Sequence, residues 1–149
     1  ERKFAMAADL LERVVAQPSH HRNIEAWTNL GISSRLGSGK GVRNVHMGAD
    51  GVFPAARAFK EAADLEPKPK TADVLGHLAS TLACTPRLEE ARKAALKALS
   101  VEPSRVDTLS LATQLTNFTD RNQTTAGEAL MQKLLQLIKQ RESALTPGE

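Results

Sequence analysis

The chain has no tyrosine, one tryptophan and four phenylalanines in 149 residues. Its core cannot rest on aromatic packing, which leaves alanine and leucine to carry it; small side chains let helix axes approach closely. A single cysteine, Cys84, excludes an internal disulfide and points to a reducing, intracellular compartment. No apolar run reaches the ~18 residues that a membrane-spanning helix needs. Charge of one sign does not dominate either. Twenty Lys and Arg meet 17 Asp and Glu, for a net charge of +3. The acids are interleaved with the bases, as in Glu89, Glu90, Arg92 and Lys93. A nucleic-acid surface gathers its cations on one face, so this pattern reads as a solvated mixed surface.

The length suits one domain of about 100–200 residues. The sequence opens on Glu1, which fits a processed organellar precursor and equally a piece of a longer protein. Asn117-Phe118-Thr119 and Asn122-Gln123-Thr124 match the glycosylation pattern. With no signal peptide legible, they read as chance matches in a polar turn.

What is present is a repeat. Ala55, Phe59, Ala62 and Pro67 recur as Ala91, Ala95, Ala98 and Pro103, all at one offset of 36 residues. Periods of ~20–50 residues mark solenoids, whose units bury their apolar faces on one another. Helical spacing predicts a first helix over residues 2–17, with Phe4, Ala7, Ala8, Leu11, Val14 and Val15 as its apolar stripe. A second runs over 23–35 with Trp27, Leu30 and Gly31 as contacts. Residues 36–53 carry five glycines and no helical period, and read as a loop. Pro54 can open a third helix, to Leu65, because its missing N–H is not needed in a first turn.

Thr71 caps the next, which runs through Cys84 on Leu75, Leu78, Ala79 and Leu82. Thr85 and Pro86 then supply a cap and first position, with Glu89 and Glu90 near the positive helix end. Ser104 with Asp107, and Thr125 with Glu128, form capping boxes for the last two helices. Seven helices follow, neighbouring ones antiparallel, and no strand.

These landmarks resemble the tetratricopeptide repeat, two antiparallel helices in about 34 residues with a W-x2-L-G-x2-Y, A-x3-F, A, P pattern. Trp27, Leu30 and Gly31 open one unit and Ala55, Phe59, Ala62 and Pro67 complete it. Leu75, Leu78, Ala79 and Leu82 open the second, completed by Ala91, Ala95, Ala98 and Pro103. Leu109, Ala112, Ala126 and Leu130 form a weaker third, in register to within one residue. The resemblance implies an all-α, antiparallel helix-pair solenoid. Its parts are a partial repeat (1–18), a repeat with an insertion at 36–53 (23–67), a full repeat (71–103), a weaker repeat with a terminal helix (104–143) and a tail (144–149). Two departures stand out. Trp27 to Ala55 spans 28 residues where Leu75 to Ala91 spans 16, and Ser34 and Leu82 stand in for the tyrosine.

Chemistry is harder to find. Gly37-Ser38-Gly39-Lys40-Gly41 looks phosphate-binding, but Ser34 and Gly41 occupy the places where a P-loop needs Gly and Ser or Thr. No strand precedes it. His20 with His21, and His77 with Cys84, lack a third ligand at metal spacing. Cys84 has no base at readable spacing. No catalytic set, metal or cofactor is expected.

The resemblance implies a concave groove lined by the first helix of each unit. Here its positions are Glu25, Thr28, Asn29, Ile32 and Arg35, then Asp73, Gly76, His77, Ser80 and Cys84. One version of the family clamps a chaperone C-terminal carboxylate with lysines, asparagines and an arginine. Asn29 matches one asparagine, while Thr28, Ile32, Asp73 and His77 supply none of the others. Gly76, Ser80 and Cys84 are small and one turn apart, permitting close approach of a bound helix or extended segment. The expected function is a non-enzymatic protein scaffold or subunit of a larger assembly, mitochondrial or cytoplasmic. The alternatives are a reversible peptide adaptor, or an RNA-associated component meeting phosphates through Lys40, Arg43 and His46 of the insertion.

Overall fold

The computed structural model describes residues 2–37, 54–65, 71–119 and 124–145. Within them the chain forms seven helices and no strand: α1 (Arg2–Val15), α2 (Ile24–Gly37), α3 (Pro54–Leu65), α4 (Thr71–Leu82), α5 (Leu88–Val101), α6 (Val106–Thr119) and α7 (Thr124–Leu145). Each helix packs on the next in the chain. That is the all-helical order expected, and it follows from apolar residues spaced three and four apart, each stripe too narrow to be buried except against a neighbour. No helix among the described residues is long and apolar enough to cross a membrane. The insertion, with Lys40, Arg43, His46 and the glycine-rich loop, lies outside the described residues apart from Leu36 and Gly37, which extend α2.

The core forms three clusters. Val15, Trp27, Leu30, Phe59 and Val74 anchor the first. Ala79, Ala95, Leu99, Leu109 and Ala112 anchor the second, and Ala56, Leu82, Ala91 and Leu115 the third. Leu78 packs against all three. The alanine and phenylalanine landmarks are deep inside, Ala62, Ala91, Ala95 and Ala98 at 0 % exposed and Phe59 at 1 %, whereas Pro103 is exposed and Pro67 lies outside the described residues. Trp27 is buried too, its indole N–H donating to the His21 carbonyl at 2.8 Å.

Helix ends depart from expectation. Thr85 does not cap α5, whose N-cap is Arg87 without a side-chain bond. Instead the Thr85 hydroxyl donates to the Leu82 carbonyl at 2.7 Å and accepts from the Arg87 N–H at 3.1 Å. One side chain therefore adds a second bond to the Leu82 carbonyl, which also accepts from the Thr85 N–H at 2.9 Å, and satisfies an orphan donor of the turn. Thr71 is already the first residue of α4, which ends at Leu82 rather than Cys84; Arg105 rather than Ser104 immediately precedes α6, and Thr125 already lies within the first turn of α7.

Two predicted contacts are also corrected. Phe4 is 43 % exposed. The α1 and α2 backbones meet so closely that a Cβ on Gly37 would lie 2.9 Å from the Ala5 nitrogen, leaving no space there for a phenyl ring. In the weaker third repeat, Leu109 and Ala112 are buried as expected, but Ala126 is exposed and Gly127 takes the contact. A Cβ on Gly127 would collide with the Asn117 amide, and Leu130, Leu134 and Leu137 continue that stripe against the second cluster.

Candidate functional site

Helix α4 is where the predicted groove residues converge. Its residues Asp73, Gly76, His77 and Ser80 line a cleft of about 130 Å³, closed on the other side by Arg105, Asp107, Thr108 and Leu111. Their spacing of three and four puts them on one face of the helix. Helix α2 borders the same face, because Arg35 Nη1 donates to the Ser80 hydroxyl at 3.3 Å. Helix α6 borders it from the far side. A Cβ on Gly76 would lie 3.3 Å from the Thr108 hydroxyl, so the glycine lets α6 draw close to α4.

Arg105 is the functional candidate that sequence reasoning missed. Its guanidinium bonds Asp73 and lies 3.4 Å from Glu102, and these carboxylates, Asp73 first, raise its already high pKa. Its Nε is buried and makes no hydrogen bond among the described residues. The bond to Asp73 spans 32 residues, and nothing in local spacing announces a partner so far away.

His77 is half-buried and stacks on Phe59, ring centroids 5.3 Å apart with 17° between planes. Its pKa is lowered, first by burial and then by the Arg35 charge, with Asp73 opposing and Arg105 adding to the effect. The imidazole is thus biased toward its neutral form, an aromatic wall for the cleft rather than a cation. Ser80 also donates to the carbonyl of Gly76 (3.0 Å) or His77 (3.1 Å), as helix-embedded hydroxyls commonly do. Cys84 is exposed, its thiol 3.4 Å from the Ser80 carbonyl.

The α2 positions are less concentrated. Glu25, Asn29 and Arg35 are exposed, whereas Thr28 bonds its own helix through the Ile24 carbonyl at 2.9 Å and Ile32 packs on the first core cluster. Of these five, Arg35 reaches the α4 residues. Among the described residues no group of three His, Cys, Asp or Glu could hold a metal ion. What the arrangement can do is hold a side chain: a small, polar, charge-balanced notch with one aromatic wall.

The described residues therefore define an all-α protein of consecutively packed helices with a polar notch on one face. No family model matches the chain, and none of the curated proteins matches it.

Proposed function

We propose that this chain is a tetratricopeptide-like scaffold that binds protein, as a structural or adaptor subunit of a larger assembly. The observation that carries the reading is the matched burial of the two landmark sets. Ala55, Phe59 and Ala62 on α3, and Ala91, Ala95 and Ala98 on α5, are all inward-facing at a common offset. Units built alike and stacked in order leave extended surfaces between them, and such surfaces are what repeat proteins use for binding. On α4 the bound segment would lie across Ser80 toward Cys84 and seat one polar side chain in the notch beside His77 and Arg105. The assembly would be mitochondrial or cytoplasmic.

The test is substitution at the notch. Ser80→Trp fills it from a half-buried position and should abolish capture of the partner that the wild-type chain brings down from its native extract, while far-UV circular dichroism stays helical. Capture undiminished by that substitution would remove the notch from the binding surface. If capture instead disappears on nuclease treatment and weakens steeply with salt, as counterion release requires, the RNA reading through Lys40, Arg43 and His46 replaces it.

A further inference from the structure

His77 is the one side chain lining the notch that ordinarily titrates near neutrality. Charge reaches it from three directions. Arg35 comes from α2, Arg105 from just ahead of α6 and Asp73 from α4 itself, while Asp107 of α6 lines the same cleft. Helix α3 presents the Phe59 ring, stacked on the imidazole, and α5 meets α4 through Ala91, Ala94 and Ala95.

The geometry turns on Asp73. It stands four residues before His77, the spacing at which side chains on one helix face meet. It also accepts the bond from Arg105, 32 residues on, which ties α6 to α4 across the notch. One carboxylate thus serves two groups, a guanidinium that is always charged and an imidazole that is charged only in acid. Arg105 has a second acceptor in Glu102, at 3.4 Å, and can leave Asp73 without losing a carboxylate. His77 has no such choice. Its ring lies flat on Phe59, which is 1 % exposed. Burial first, and then the Arg35 and Arg105 charges, oppose its proton, with Asp73 the neighbour that favours it.

We infer that acid exchanges the partners of Asp73: protonated His77 takes the carboxylate from Arg105, Arg105 falls back on Glu102, and the tie that closes the notch between α4 and α6 is released. The Asp73 side chain is 69 % exposed, and an ion pair so open to water is held weakly enough for a second cation to displace it. His77 takes its proton below 6.5 in the folded chain, so the exchange belongs to the range below that of a free imidazole. Above it the ring is neutral and the tie stands. As regulation of capture, the exchange rests on the notch being the binding surface: a segment seated between His77 and Arg105 is held at neutral pH and let go in acid.

The experiment uses the isotope-labelled chain alone, titrated by NMR from about pH 7.5 to 5. As the His77 imidazole protonates, Overhauser contacts between the Asp73 and Arg105 side chains should fade and those from Asp73 to the His77 ring should grow, all with one midpoint. In His77→Gln the contacts between Asp73 and Arg105 should persist into acid. Asp73→Asn, at an exposed position, should lower the His77 midpoint, because it removes the neighbour that favours the proton. The inference is overturned if Asp73 keeps its contacts with Arg105 after His77 is protonated, if they fade equally in His77→Gln, or if Asp73→Asn leaves the His77 midpoint unchanged or raised. These readings are made on the free chain and so stand apart from the capture test: capture that survives Ser80→Trp would remove the notch from the binding surface and leave the exchange in place.

Discussion

Gly31 and His77 both contact the Phe59 ring, and each makes a distinct prediction. A Cβ on Gly31 would lie 2.6 Å from the ring, which is 1 % exposed, stacked on His77 and part of the first core cluster, so it has little room to move. Gly31→Ala gains up to ~1 kcal/mol of helix propensity and incurs ~1–3 kcal/mol of overpacking. The overpacking should win, lowering the urea midpoint; a raised midpoint would mean the ring is placed wrongly. His77 has a folded-state pKa below 6.5, so between those two values the unfolded chain binds the proton more readily. Stability therefore rises as pH climbs through that window and is lost as pH falls through it. His77→Gln should flatten the slope measured by urea unfolding between about pH 5 and 8, and an unchanged slope would assign the dependence to other groups.

Among elements, the decisive contact is the one α3 makes on both sides. Phe59 belongs to α3, lies on Gly31 of α2 and stacks on His77 of α4, which makes it the plug between one helix pair and the next. Phe59→Ala should cost about 3–5 kcal/mol and lower the melting temperature by on the order of 10 °C. A melting temperature that does not move would refute the plug. The α4–α5 turn shows how element ends escape prediction. Thr85 has the composition of a cap, yet its hydroxyl serves the end of α4 and the Arg87 N–H together. Either use satisfies a threonine, and here α5 starts at Leu88, too far on for Thr85 to be its N-cap.

For the whole molecule, cooperativity runs through Leu78. Three core clusters meet at this half-buried residue, and stacked units otherwise communicate only with their neighbours. Trp27, the single tryptophan, sits in the first cluster, so its fluorescence reports that cluster while circular dichroism reports every helix. In the wild type the two unfolding curves should coincide. Leu78→Ala should lower stability by about 2 kcal/mol, the low end for leucine truncation given partial exposure, and separate the two curves. Curves that remain superimposed would show that the clusters couple by another route.

The alternation of α3 and α5 landmarks, the seven helical segments and the buried places of Trp27 and Phe59 were legible in the amino-acid order, because helical periodicity repeats every 3.6 residues and is a local property. Tertiary structure decided what depends on how each helix is rotated and what lies across from it. One residue of register is about 100° of rotation, enough to bury Gly127 in place of Ala126. The meeting of Arg105 with Asp73, 32 residues apart, and of Arg35 with Ser80, 45 residues apart, depends on how helices pack side by side, and no local pattern encodes that.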